Sequence, residues 1–349
     1  MRAHATVTFE AAKPGLVLPE AAPYTGRLHI RPIGIPAMVR REHPASYQMI
    51  TKAIAGAFPE AAPGWHKGTA GAILIVGGSE GLTGAPHLAA RAALRAGGGL
   101  ISVAAPHGLC RDIKADCPDI MTRALGPAGN VRWSPALLEE LLPFLRQCGA
   151  MALGPGIGRE PETAAFVQAL LMCPSRPSAV VDADALHALA MHPEALSSLR
   201  ACDVLTPHPG EAATLLHTTP ALVQADRFAA LAGLRRLAPS VWILKGAGTL
   251  IGTEGQPVTI APYAEPNLAV GGSGDVLSGC LGTLMAQTAA HPSEGCESSS
   301  FLAACMGVHL HARAGRLLRE AFPQRGNSAT DIAEMLPRAR IREAAGDGT

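Results

Sequence analysis

What this chain has little of narrows its function first. Aromatic residues make up only 4% of its 349 residues, too few for the stacked rings of a single-stranded nucleic-acid platform. An excess of one charge sign is missing too. Lys+Arg number 29 against 28 Asp+Glu, for a formal net charge of +1 and no basic block, which argues against nucleic acid or a membrane surface as partner. There is no apolar run of the roughly 18 residues a membrane helix needs, and no basic stretch leading into an apolar one at the start. The eight cysteines, at 110, 117, 148, 173, 202, 280, 296 and 305, form no CxxC pair, so a zinc or redox motif is not expected. Most lie in apolar or helical surroundings and read as small buried hydrophobes. These absences describe a soluble protein of a reducing, cytoplasmic compartment. Two phosphate signatures are lacking as well. Without GxxxxGK[ST] this is no P-loop enzyme, and without GxGxxG after a strand and an acid downstream a Rossmann site has no support.

What is present is apolar and regular. Apolar residues reach 48%, ample for a large core. Residues 1–40 stand apart: Thr6-Val-Thr-Phe9 signals a short strand, but Lys13-Pro-Gly15 and Pro32-Ile-Gly-Ile-Pro36 break anything longer. That stretch cannot bury a core and reads as a linker or the tail of an upstream domain. From 41 to 340 strands and helices alternate, and 341–349 is a C-terminal tail. Strands are expected at 72–76, 100–104, 150–153, 179–181, 203–205 and 241–244, with 249–252 pairing back antiparallel. Helices are expected at 83–97, 134–147, 161–172, 220–238, after Asp275, at 300–321 and at 328–340, with a polar loop at 291–299. This alternation predicts an α/β domain whose mainly parallel sheet is covered on both faces. Ligands then belong at the carboxyl ends of the strands.

The turn carrying most chemistry is Gly271-Gly-Ser-Gly-Asp275. Apolar residues at 276, 277, 280, 281, 284 and 285 recur behind it at helical spacing. Backbone N–H groups at a glycine-rich helix start form an anion site. Asp275, placed beside it, suits a base that takes a proton from a hydroxyl attacking a bound phosphoryl group. The plainer alternative is that Asp275 only favours the helix dipole. Other strand ends offer further groups. Gly154-Pro-Gly-Ile-Gly158 allows close backbone approach. Asp182 is a candidate Mg²⁺ ligand, directly or through water, whereas Asp184 reads as the cap of a helix beginning near Ala185. In Thr206-Pro-His-Pro-Gly-Glu211, His208 can donate to a phosphate or ribose, and Glu211 can cap the next helix or orient a metal-bound water. Lys245-Gly-Ala-Gly-Thr249 suits a nucleotide phosphate, and Thr83-Gly-Ala-Pro86 can shape a pocket wall. His309 and His311, two apart on a helix, point apart and make a poor metal pair.

With Lys67-Gly68, Gly77-Gly-Ser79 and Asp182-Ala-Asp-Ala-Leu186 added, these turns, in order and spacing from about Ser46 to Pro337, resemble the ADP/ATP-dependent (S)-NAD(P)H-hydrate dehydratases. The resemblance implies a ribokinase-like three-layer αβα sandwich. Residues 3–36 resemble the end of the NAD(P)H-hydrate epimerase domain that many bacterial members carry upstream, the body of which is not in this sequence, so epimerase activity is not expected of it. The implied activity is dehydration of the S epimer of NADHX or NADPHX at the expense of ADP, released as AMP and phosphate, with Mg²⁺ bridging the phosphates. The implied site has Asp275 as base, with Gly272, Ser273 and Gly274 holding charge. Ala85, Gly156, His208 and Asp275 touch the hydrate, and Lys245, Gly246, Ala247, Gly248, Thr249 and Gly274 hold the nucleotide. Many relatives have threonine at Ser273, and either residue brings a hydroxyl. A tetramer or larger homo-oligomer is also implied. The alternatives are a ribokinase-fold kinase for a vitamin-precursor alcohol, which would share Asp275 and the anion site, and a non-catalytic nucleotide-binding regulator.

Overall fold

The computed structural model describes residues 2–61, 63–290 and 296–340, and the side chains of 299–340 in the last stretch. Ten strands build the main sheet. They are β3 (Tyr47–Met49), β4 (Ala72–Val76), β5 (Leu100–Pro106), β6 (Met121–Leu125), β7 (Ala150–Leu153), β8 (Ser178–Val181), β9 (Val204–Leu205), β10 (Val241–Leu244), β11 (Leu250–Gly252) and β12 (Val258–Ile260). A separate two-stranded parallel sheet pairs β1 (Ala5–Phe9) with β2 (Arg27–Arg31).

The main sheet runs β3-β12-β11-β10-β9-β8-β7-β4-β5-β6. It is parallel except where β11 lies antiparallel between β10 and β12. From β4 the chain winds outward through β5 and β6. It then returns to β7 on the other flank of β4 and winds the opposite way through β8, β9 and β10. The β4/β7 boundary is therefore a topological switch point, where loops leave the strand ends in diverging directions and open a crevice.

Each central strand is apolar along its length because both faces are covered. In β4, Ile73 and Ile75 join one buried cluster and Leu74 and Val76 the other, as the period of two requires. The first cluster includes the helices Gly84–Arg95, Ser273–Ala290, Cys296–Ala321 and Ala329–Ala339; the second includes Leu137–Leu145, Pro161–Met172, Asp184–Met191 and Arg227–Leu237. The helix Ser273–Ala290 is buried nearly all round. Gly279 makes that possible: a Cβ there would lie 1.8 Å from the Ala89 carbonyl oxygen, so only glycine lets the alanine-rich helix cross this closely.

Several expectations need correction. The helix expected over 220–238 is two, Pro220–Ala225 and Arg227–Leu237. Asp226 between them leaves helical geometry and accepts the Ala229 N–H as the second helix's cap. Of the expected loop 291–299, residues 291–295 lie outside the described residues and the next helix already begins at Cys296. Strands β3, β6 and β12 were not expected. Residues 1–40 bury little, leaving Val7, Phe9, Ile33 and Met38 exposed, while Val17 and Leu18 pack onto the main domain's second cluster. Among the described residues no helix is long and apolar enough to cross a membrane, and the seven described cysteines are free.

Candidate active site

The turns after β8, β9 and β10 and the start of the helix Ser273–Ala290 converge on one cavity of about 930 Å³, at the roomy end for small-molecule sites. Asp182, His208, Glu211, Lys245 and Asp275 stand on its polar side, and Tyr263, Leu268 and Val308 are among its less polar walls.

The helix start is shaped by Gly272, whose φ of +88° and whose neighbours Leu88 and Ala329 leave no place for a side chain. The Val276 N–H turns back to the Gly272 carbonyl at 3.1 Å, and the Ser273 N–H donates to Val270 at 3.2 Å. That second bond engages the amide of Ser273, one of the three residues expected to hold charge. The amides of Gly274 and Asp275, in the open first turn, remain to face an anion. Ser273 is buried, with its hydroxyl 3.2 Å from His311 Nε2. His309 is held separately by the Tyr263 hydroxyl at 2.7 Å.

Lys245 and Asp182 form the electrostatic centre. The Lys245 ammonium donates to Asp182 Oδ1 at 2.7 Å and lies 3.7 Å from Glu211. Asp182 is 1% exposed and also accepts from the Ser278 hydroxyl at 2.5 Å. Burial works against both charges. For Asp182 the Lys245 charge and hydrogen bonds outweigh it and hold the pKa below the usual range; for Lys245 the facing carboxylates outweigh it and hold the pKa up. An added Cβ on Gly274 would sit 3.5 Å from Lys245 Nζ, so the lysine meets the helix start directly. Among the described residues Asp275 has no such close partner. Burial, then the Asp182 charge, pushes its carboxyl up to about 7.

His208 is the N-cap of the helix Pro209–Leu215. Its Nδ1 accepts from the Gly210 and Glu211 N–H groups, while Glu211 accepts the His208 N–H at 2.8 Å in return. Nδ1 is thus an acceptor, and a neutral ring carries its proton on Nε2, 3.3 Å from Glu211 Oε1. Burial, aided by Lys245, keeps His208 below its ordinary pKa, and burial raises Glu211 to about 7. Glu211 therefore caps the helix and lines the cavity at once.

Ala85 and Gly156 come together at the β4/β7 switch point, a Cβ on Gly156 falling 3.0 Å from the Ala85 methyl. Neither lines the main cavity. The expectation for Asp184 is corrected: it is the first helical residue and caps nothing, accepting instead from Arg159 at 2.7 Å and the Gly158 N–H at 3.3 Å. It thereby pins the 154–158 turn. Around 245–249, the Arg227 guanidinium donates to the carbonyls of Leu244, Lys245 and Ala247, and the Thr249 hydroxyl donates to Gly246. Sequence reasoning missed Ser278, Arg227 and the partner of His311. Only Ser278 carried a signal, as a hydroxyl one turn after Asp275 among the apolar residues Val276, Leu277, Cys280 and Leu281.

A glycine-opened helix start, a carboxyl beside it and a lysine turn lie together at the carboxyl edge of a three-layer αβα sandwich of ribokinase-like fold. The sequence model of the NAD(P)H-hydrate dehydratase family matches residues 73–338, and the chain belongs to that family. It is 41% identical over 335 residues to the bifunctional NAD(P)H-hydrate repair enzyme Nnr of Moorella thermoacetica, covering 95% of this chain and 61% of that one. The chain spans about three fifths of the length of the curated relatives it matches. In fold it is similar to a ribokinase-like superfamily protein of Enterococcus faecalis V583, with a TM-score of 0.69, 21% identity, and 84% and 95% of the two chains covered. It is likewise similar to the ADP/ATP-dependent NAD(P)H-hydrate dehydratase of Bacillus subtilis, crystallised with ATP/Mg²⁺, at a TM-score of 0.65 and 22% identity over 83% and 96%.

Proposed function

We propose that this chain dehydrates the S epimer of NADHX and NADPHX, returning NADH and NADPH while splitting ADP into AMP and phosphate. The observation that carries the reading is Asp275, a carboxyl raised to about 7, seated in the first turn of a helix whose open amides face the same cavity as Lys245.

Hydroxide leaves the nicotinamide ring poorly, whereas phosphate leaves readily. Asp275 takes the proton of the ring hydroxyl as that oxygen bonds to the terminal phosphorus of ADP, and the bond from phosphorus to the AMP oxygen breaks. The amides of Gly274 and Asp275 stabilise the charge on the transferring group, and Lys245 the nucleotide phosphates. The ring nitrogen's lone pair then expels phosphate, and loss of a neighbouring ring proton restores the double bond. Ala85, Gly156 and His208 serve the hydrate, while Gly246, Ala247, Gly248 and Thr249 serve the nucleotide.

Among the described residues no three His, Cys, Asp or Glu side chains converge as a metal site. That suits Mg²⁺, which keeps several waters and takes ligands from phosphates, needing only one or two carboxylates. Both Asp182 oxygens are engaged by Lys245 and Ser278 and both Glu211 oxygens face His208, so Asp182 and Glu211 would hold such an ion through its waters, and it would supply charge neutralisation. Free thiols suit a reducing, cytoplasmic setting, and we expect a homo-oligomer. The test is incubation with S-NADHX and ADP. Return of NADH absorbance with stoichiometric AMP supports the reading. A phosphorylated alcohol formed from an added vitamin precursor, with no NADH recovered, overturns it in favour of a kinase.

A further inference from the structure

The turn 245–249 is gripped from outside by residues far away in sequence. The pyrrolidine of Pro19 and the side chain of Leu18 lie against Gly248: a Cβ there would meet Pro19 Cδ at 2.7 Å and Leu18 Cδ2 at 3.3 Å. Leu18 is anchored in turn, packing with Val17 against the second core cluster. The same turn is held by Arg227, which donates to the carbonyls of Leu244, Lys245 and Ala247. Its guanidinium also feels the carboxylate of Glu20, which partly offsets the lowering of its pKa by burial. Leu18, Pro19 and Glu20 thus touch or face both the turn and the arginine that holds it. None of the three lines the cavity.

We propose that the segment Leu18-Pro19-Glu20 is a brace that positions the 245–249 turn and so sets the affinity for nucleotide. This rests on reading that turn as the nucleotide site. Its φ values of +140° at Gly246 and +65° at Gly248 make the turn conformationally free when left alone. Residues packed against Gly248 remove alternatives that an unbraced turn would sample, and a ligand gains the ordering cost already met by the fold. By linkage, nucleotide in turn steadies the segment.

The experiment uses the full chain with L18A/P19G, and separately E20Q as a milder change. ADP affinity is read by calorimetry, and turnover by the NADH assay. The expected result is a roughly five- to tenfold rise in the ADP dissociation constant and in the KM for ADP. The hydrate KM, and kcat at saturating ADP, stay within about twofold of the unaltered protein. ADP should also slow backbone hydrogen exchange in residues 14–21. Equal ADP affinity in both folded variants, or a parallel loss in hydrate and nucleotide KM, overturns the brace. If L18A/P19G does not fold, E20Q decides. Should the unaltered protein bind ADP without recovering NADH, the proposed reaction falls while the calorimetric comparison still judges the brace.

Discussion

Replacing Asp275 by asparagine separates what this carboxyl does for chemistry from what it costs the fold. Its pKa is raised from 3.8 to about 7, by burial first and the Asp182 charge second. Such a rise corresponds to roughly 4 kcal/mol. The sign comes from proton counts. Between pH 4 and 7 the folded state holds a proton the unfolded state has released, so stability falls as pH rises through that window. Above about 7 the whole cost is present. Asp275→Asn removes it and should raise the melting temperature on the order of 5 °C at pH 8, a gain that shrinks as pH falls toward 4. Activity should move the other way. Loss of a general base costs about a hundredfold to ten-thousandfold, so turnover in the coupled NADH assay should nearly vanish while ADP affinity by calorimetry stays close to that of the unaltered protein. Thermal denaturation across pH supplies the second reading. Retained turnover, or a stability change independent of pH, refutes both the assigned role and the electrostatic account.

With Asp275 as base, kcat/KM should rise with pH and level off above about 7; a profile flat from pH 5 to 8 contradicts it. Lys245→Met leaves Asp182 buried without its cation and should cost about 3–5 kcal/mol, seen in urea unfolding, as well as raising the KM for ADP. Adding Asp182→Asn should recover stability but not ADP affinity. Gly279→Ala places a methyl against the Ala89 carbonyl and should lower stability by about 1–3 kcal/mol or more, with near-normal kinetics in whatever remains folded. Arg176 pairs through both of its terminal nitrogens with the buried Asp203 at 2.8 and 2.6 Å. Arg176→Met should cost about 3–5 kcal/mol of stability without changing either KM.

The parts of the fold that the sequence shows are those where one local signal suffices. Ala72–Val76 reads as a buried strand from its short apolar run, and the apolar spacing behind Asp275 reads as a helix. The edge strands escaped for the opposite reason. Tyr47–Met49 is exposed throughout and Val258–Ile260 is three residues long, so neither carries a pattern. The break at Asp226 could have been read from an acid able to cap a second helix, but Leu231, Leu234 and Leu237 at helical spacing mask it. In the site, glycines and the acid next to them were visible because their spacing is local. The pairing of Lys245 with Asp182 spans 63 residues and exists because β8, β9 and β10 are neighbours, an order the alternation of elements does not specify. His208 shows how two readings merge: it caps its helix through Nδ1, and that same bond leaves the proton of the neutral ring on Nε2, beside Glu211.

The charges of the cavity make sense only as a set. An aspartate at a helix start is ordinarily held ionised by the dipole and the open amides, which would leave Asp275 a weak base. Burial and the nearby Asp182 charge oppose that pull and win. Were Asp182 left uncompensated, the repulsion would hold Asp275 protonated throughout the neutral range and equally useless. Lys245, bound to Asp182 at 2.7 Å, takes up most of that second charge while still presenting its own to the cavity. The lysine therefore tunes the Asp275 carboxyl while it faces the cavity, and the buried Ser278 hydroxyl on Asp182 fixes the geometry through which it does so.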